Sequence, residues 1–287
     1  MVRPLTAAVV VVLLAAGCGD GGDGDGDGRP RVVASFFPLA EVAERVGGDA
    51  VEVTDLTPPG VEPHDVELSS DEVDELLDAD LVVYLGGGFQ PAVEDVVHQR
   101  DGPSLDVLDA AGATDDGADV DPHVWLDPTL LARITGAVGD AVADAVPDRE
   151  DDVAAAVARY RAELEELDAD LAARLGHCER DLVVSAHDAF DRLARHYGFR
   201  TEAITGLSPA AEPDPGRLAE LADLVERDGV TTVFTEELVS PEVAEALARE
   251  ASVRTAVLDP VEGHPDGGYL GAMRRNGDAL AEALGCR

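Results

Sequence analysis

Residues 148–175, DREDDVAAAVARYRAELEELDADLAARL, contain no Gly or Pro and predict one uninterrupted α-helix. Pro147 suits the first turn of this helix and Gly176 suits its end. About 28 residues at ~1.5 Å each would span roughly 42 Å, which is too long for an ordinary crossover between strands. A coiled-coil arm is an alternative, but the apolar positions keep no clean heptad. The stretch therefore predicts a long rigid helix that joins two lobes.

On both sides of this helix, short β-branched runs alternate with longer amphipathic stretches. The predicted strands are residues 31–35, 51–56, 81–85, 182–185, 230–234 and 255–258, and the main predicted helices between them are residues 39–46, 71–77, 217–226, 241–250 and 273–284. Strands that alternate with helices imply parallel sheets covered on both faces. The expected fold class is α/β, with two lobes of parallel sheet and flanking helices joined by one long rigid helix.

The N-terminus is typical of an exported lipoprotein. Arg3 precedes a short apolar run, residues 5–16, which is too short to span a bilayer comfortably. The run ends in Leu-Ala-Ala-Gly-Cys, which resembles a bacterial lipobox and would make Cys18 the lipidated residue. An ordinary signal peptide with an incidental cysteine is the alternative. We expect a chain anchored by lipid on the extracytoplasmic face of the cell membrane, either periplasmic or extracellular.

These observations give a predicted domain plan. It consists of a lipoprotein signal peptide (1–18), a flexible Gly/Asp tether (19–30), an N-terminal α/β lobe (31–147), the linking helix (148–176) and a C-terminal α/β lobe (177–287). The chain is long enough for two modest lobes. We expect it to be a monomer.

The three cysteines fit the same location. If Cys18 carries lipid, Cys178 and Cys286 remain as an even pair in an oxidising compartment, where we expect them to form a disulfide. Zinc binding by this pair is the weaker alternative, because neither cysteine lies in a Cys-x-x-Cys spacing.

The formal net charge of −39 argues against nucleic acid and anionic lipid as partners and favours cations. Acidity this diffuse defines no site, and a solvated acidic surface accounts for most of it. The candidate site must therefore come from individual residues.

Three of the seven histidines lie in loops or at the ends of predicted strands, where α/β folds bind their ligands. His64 follows Pro63 after the second predicted strand. His123 lies between two Asp-Pro steps in Asp-Pro-His-Val-Trp-Leu-Asp-Pro, residues 121–128, a turn that no helix can continue through. His187 follows the strand 182–185 and is expected to open the next helix. The other four histidines are better explained as surface residues.

Two acids occupy similar positions. Glu236 ends the strand 230–234, and Asp259 follows the strand 255–258. Three imidazoles and one carboxylate suit Zn²⁺, whereas Mn²⁺ prefers a greater share of oxygen ligands. We therefore expect a site of His64, His123, His187 and Asp259 that holds zinc, with manganese as the alternative. Glu236 is either a further ligand, a partner of a metal-bound imidazole, or a helix N-terminal acid.

At these motifs the sequence resembles the substrate-binding lipoproteins of zinc and manganese ABC transporters. The resemblance covers about residues 31–287 and is carried by five motifs in order: the Pro63-His64 loop, residues 121–128, Ser-Ala-His-Asp-Ala-Phe at 185–190, Thr-Glu-Glu at 235–237 and Leu-Asp-Pro at 258–260. It implies two α/β lobes with the metal between them, Asp259 as the usual fourth ligand, and delivery of the ion to an ABC permease. Residues 112–120 lack the His-rich loop of many zinc-specific members, whereas the positions of Cys178 and Cys286 resemble the disulfide of the zinc subgroup.

Two other functions compete with transport. A metallohydrolase would need an open coordination position and a general base, and the sequence has no His-Glu-x-x-His pair and no nucleophile elbow. We therefore expect no enzyme activity. A metal-dependent adhesin of the same fold is the other alternative.

Overall fold

The computed structural model describes residues 28–113 and 120–287. The proposed signal peptide, Cys18, most of the tether and most of the segment 112–120 lie outside the described residues. Within the described ranges, no helix combines the length and apolar character needed to cross a membrane.

Within the residues that the structure describes, the strands form two separate four-stranded parallel sheets. In the first sheet, with spatial order β2-β1-β3-β4, the strands are β1 Arg31–Ala34, β2 Glu52–Asp55, β3 Leu81–Tyr84 and β4 Ser104–Asp106. In the second, with order β6-β5-β7-β8, they are β5 Leu182–Ser185, β6 Arg200–Ala203, β7 Thr232–Thr235 and β8 Arg254–Val257. Both sheets share one topology, so each lobe presents the carboxyl ends of its central strands at one edge.

Ten α-helices accompany these strands in the described part of the chain. They are α1 Phe37–Gly47, α2 Ser70–Asp78, α3 Pro91–Val97, α4 Val107–Ala111, α5 Pro128–Ala145, α6 Glu150–Leu175, α7 Asp191–Tyr197, α8 Pro215–Asp228, α9 Glu242–Glu250 and α10 Gly268–Leu284. The two-lobe α/β prediction is confirmed, with each predicted strand present to within a few residues.

The long helix is α6, and it joins the two lobes as expected. A 3₁₀ turn at Pro147–Arg149 precedes it, so the α-helical part has 26 residues, which at ~1.5 Å each gives about 39 Å. Its buried side chains include Leu164, Leu167 and Leu171, which belong to one continuous apolar core with residues of both lobes. Helix α6 therefore packs along its length against the apolar core that both lobes share.

Cys178 and Cys286 form a disulfide, as predicted, across 108 positions of sequence. The bridge ties the segment after α6 to the segment after α10. Beside it, the backbone N–H groups of Glu179 and Arg180 both donate to the carbonyl oxygen of Leu284. The start and the end of the C-terminal lobe are thus joined both covalently and by hydrogen bonds.

Candidate metal centre

The structure brings His64, His123 and His187 together with a fourth residue, Glu262. One ligand atom of each lies within 4.8 Å of every other. His64 is in a 3₁₀ turn after β2, His123 directly precedes the 3₁₀ turn Val124–Leu126, and His187 lies two residues after β5. Glu262 lies in the loop between β8 and α10. The turn after β2 and the turn before α5 thus supply two imidazoles. The loops after β5 and β8 of the second sheet supply the third imidazole and the carboxylate.

The distances among these atoms match a tetrahedral metal site. Glu262 Oε1 lies 3.5 Å from the Nε2 atom of His64, 3.6 Å from that of His123 and 3.7 Å from that of His187. The Nε2 atoms of His123 and His187 are 3.4 Å apart. Zinc with bonds of about 2.0–2.1 Å places its tetrahedral ligand atoms roughly 3.3 Å from one another. Four of the six distances in the cluster are thus close to this value, and the remaining two are at most 4.8 Å.

Two acidic partners fix the orientation of two imidazoles. His123 Nδ1 donates to Asp121 Oδ1 across 2.8 Å, and His187 Nδ1 donates to Glu236 Oε2 across 2.7 Å. Both rings are fully buried. Because Nδ1 is held by a carboxylate, Nε2 is the nitrogen left to bind a metal. Glu236 therefore lies behind His187 as a hydrogen-bond partner, which was one of the three roles expected for it.

The fourth position differs from the expectation. Asp259 is not in the cluster, because its Oδ1 accepts a hydrogen bond from the backbone N–H of Val261 across 2.7 Å. The turn that this bond closes carries the chain three residues further and points Glu262 toward the imidazoles. A second difference concerns His187, which lies in a loop, because α7 begins only at Asp191.

The carboxylate of Glu262 is buried and makes no hydrogen bond within the described part of the chain, at either oxygen. His64 Nε2 likewise makes no hydrogen bond in the described residues, although it lies 3.5 Å from Glu262 Oε1. Burying such groups without a partner is costly, so their convergence on one point indicates a site built for a cation.

The ionisation of the cluster is strongly perturbed. Burial alone would lower the pKa of His187, but its contacts with Glu236 and Glu262 outweigh burial and raise the pKa to about 10. For Glu262, burial acts to raise the pKa, yet contacts with His187 and His64 lower it to about 2. Burial lowers the pKa of His123 despite its bond to Asp121. Without a metal, a protonated His187 therefore balances the charge of Glu262.

Glu62 is a further, half-buried acid beside the cluster that sequence reasoning missed. Its Oε1 accepts from the backbone N–H of His64 across 3.3 Å, and burial together with repulsion from Glu262 raises its pKa to about 8. The only sequence signal was its place two residues before His64. Its bond to the backbone holds the His64 turn in position.

Comparison with known proteins agrees with this geometry. Residues 32–283 match the family model described as zinc-uptake complex component A, periplasmic, ZnuA. The chain belongs to the ZnuA family. The ZnuA family consists of metal-binding components of transporters rather than of enzymes.

Two curated relatives and one solved structure illustrate the similarity. The chain is 31% identical over 275 residues to the zinc-binding lipoprotein AdcA of Streptococcus pneumoniae, covering 88% of this chain and 55% of AdcA. It is 30% identical over 277 residues to the high-affinity zinc uptake system protein ZnuA of Bacillus subtilis, covering 88% and 87%. The Zn(II)-bound ZnuA-like domain of S. pneumoniae AdcA superposes with a TM-score of 0.78 at 31% identity, covering 90% of this chain and 99% of that domain. The chain thus spans about half the length of AdcA and corresponds to its ZnuA-like domain.

Proposed function

We propose that this chain binds one Zn²⁺ through His64, His123, His187 and Glu262 and delivers it to an ABC permease for uptake. The observation that carries the proposal is the convergence of four ligand atoms within 4.8 Å of one another, from three buried residues and the half-buried His64. Zinc-binding relatives of the same family support the choice of cargo. Delivery to a permease rests on the family, whose name places it in a zinc-uptake complex.

Zinc is favoured over manganese by the chemistry of the four residues. Three imidazole nitrogens and one carboxylate oxygen form a borderline-soft set that suits zinc, whereas manganese requires more oxygen ligands. Four protein ligands also complete a tetrahedron and leave no position for a reactive water, as expected for a binding protein without turnover. We further propose that Cys18 is lipidated, and that the mature chain works as a monomer on the extracytoplasmic face of the membrane.

The decisive experiment is a metal titration of the protein purified without its first 18 residues. We expect one zinc per chain, tighter than manganese in direct competition. His64→Ala and His123→Ala should each lower zinc affinity at least about 100-fold, because each removes one of four bonds. His98→Ala is the matched control, since His98 is exposed and lies outside the cluster. Wild-type affinity in both ligand variants would refute the site.

Transport is tested separately in cells that make this chain. Loss of the gene should reduce uptake of radioactive zinc at low external concentration. The wild-type gene should restore uptake and Glu262→Ala should not, although its protein is made at the same level. Normal uptake in the deleted strain would contradict delivery while leaving zinc binding intact.

A further inference from the structure

The turn that presents Glu262 has an unusual backbone. Val261, the residue immediately before Glu262, has φ of 58° and is fully buried. In the described ranges only Ser252 shares a positive φ among residues other than glycine. A β-branched residue in the left-handed region is a genuine outlier, and such conformations persist only when their surroundings impose them.

Asp259 and Asn276 impose this conformation. Asp259 Oδ1 accepts the backbone N–H of Val261 across 2.7 Å and closes a side-chain-to-backbone turn. Asn276 on α10 is buried and holds the backbone of Asp259 at both polar groups. Its Oδ1 accepts the Asp259 N–H at 2.9 Å, and its Nδ2 donates to the Asp259 carbonyl oxygen at 2.6 Å. The start of the turn is thereby fixed to the last helix.

A third contact locates the turn relative to the imidazoles. The indole N–H of Trp125 donates to the carbonyl oxygen of Pro260 across 2.7 Å. Trp125 lies in the 3₁₀ turn that follows His123. The backbone before Glu262 is therefore positioned against the segment that carries a proposed ligand.

The Glu262 carboxylate faces the three imidazoles at 3.5–3.7 Å and has no other polar side chain to hold it among the ion pairs of the described residues. Neither carboxylate oxygen has a hydrogen-bond partner in the described part of the chain. The backbone turn at residues 259–261 therefore sets where the Glu262 side chain enters the cluster, opposite the three imidazoles.

From these contacts we propose that Asp259 is a positioning residue, which presents Glu262 in one geometry and so favours a tetrahedral ion over ions of higher coordination number. The inference rests on the proposed zinc site. Asp259 acts through its hydrogen bond to the Val261 N–H. Neither its charge nor a bond to the metal is needed for this role.

This role can be separated from a ligand role by a graded series at position 259. Asparagine keeps an oxygen that can accept the Val261 N–H, serine keeps a weaker acceptor, and alanine keeps none. A ligand role would predict loss in Asp259→Asn and Asp259→Ala alike, because both remove the anionic oxygen.

The experiment measures zinc and manganese affinity by chelator competition, together with the absorption spectrum of the cobalt(II) form. Asp259→Asn should bind zinc within about threefold of wild type and keep the intense tetrahedral cobalt bands. Asp259→Ala should lose roughly 10–100-fold in zinc affinity, the usual range for groups that orient a ligand, with weaker cobalt bands and a smaller preference for zinc over manganese. Glu237→Ala is the matched control, an exposed acid on the neighbouring loop.

The outcomes are distinguishable. Equal losses in the Asn and Ala variants, or no loss in either, would overturn the positioning role. If Asp259→Ala does not fold, as judged by circular dichroism, Asp259→Ser replaces it. The serine variant must then bind zinc more weakly than the asparagine variant, and the reverse order overturns the proposal. Failure of the wild-type protein to bind zinc would instead remove the proposed function itself.

Discussion

The indole N–H of Trp125 donates a 2.7 Å hydrogen bond to the carbonyl oxygen of Pro260, 135 residues further along the chain. One end of this bond follows His123 and the other precedes Glu262. The ring of Trp125 also lies 5.2 Å from that of His123, centroid to centroid. A single buried side chain thus connects the two halves of the proposed zinc site.

Trp125→Phe should therefore weaken both the fold and the site. The change leaves a buried carbonyl oxygen without its donor and removes apolar volume from the core, so we expect a loss of about 2–4 kcal/mol in unfolding free energy. Zinc affinity should fall about tenfold, a range typical of groups that orient ligands. Chemical denaturation and zinc titration measure the two effects.

The control for this variant is Tyr269→Phe. It removes the 2.6 Å hydrogen bond from the Tyr269 hydroxyl to the Trp125 carbonyl oxygen, but it leaves the Pro260 contact in place. Its stability should fall while zinc affinity stays near wild type. Equal losses of affinity in both variants would show that general destabilisation is responsible.

Asp121→Ala and Glu236→Ala should each lower zinc affinity roughly 10–100-fold. Each removes the carboxylate that holds the Nδ1 of a proposed ligand, at 2.8 Å for His123 and 2.7 Å for His187. Asp49→Ala is a suitable control, because this exposed acid pairs with Arg149 and lies outside the cluster. Isothermal titration with a competing chelator measures the change, and unchanged affinity would contradict the orienting role.

Zinc binding should release protons at neutral pH. Contacts with Glu236 and Glu262 raise the pKa of His187 from 6.5 to about 10 against the effect of burial, so its ring carries two protons at pH 7. Zinc must displace the proton on Nε2, and its affinity should therefore rise at least about tenfold per pH unit between pH 7 and 9. Below pH 7 the affinity should continue to fall, because His187 stays doubly protonated in the zinc-free protein.

Calorimetry in buffers of different ionisation enthalpy counts the protons released. We expect about one from His187 and a further fraction from Glu62, whose pKa is raised to about 8 by burial and by Glu262. Glu62→Gln should remove that fraction and leave the first proton. A binding enthalpy independent of the buffer would contradict this account.

Removing the disulfide should destabilise the protein without destroying the site. The bridge closes a loop across 108 positions, and the double variant Cys178→Ser, Cys286→Ser should lose about 2–5 kcal/mol in unfolding free energy. His187 and Glu262 are held by the second sheet and its loops, so zinc affinity should change less than about threefold. Thiol counting on denatured, unreduced wild type should find neither cysteine reactive.

The alternation of β-branched runs and amphipathic stretches was enough to predict two parallel α/β lobes. It missed β4 and β6, because Ser104–Asp106 and Arg200–Ala203 are short, polar edge strands without an apolar run. Their strand conformation is set by pairing with β3 and β5.

The candidate site was predictable in its three imidazoles but not in its carboxylate. Asp259 and Glu262 both follow β8, and the sequence offers either as an anion near the ends of the strands. The choice depends on the left-handed φ of Val261, which Asp259 itself stabilises. No periodicity or spacing reports such a turn, because it arises from contacts with Asn276 and Trp125 far away in sequence.

The Cys178–Cys286 bridge also divides the four proposed ligands between two parts of the chain. His187 and Glu262 both lie inside the covalent loop, whereas His64 and His123 lie outside it. Two of the four proposed ligands are therefore carried by a covalently closed loop, and the other two by the open N-terminal part of the chain. Separation of the two parts would open the proposed site without breaking any covalent bond.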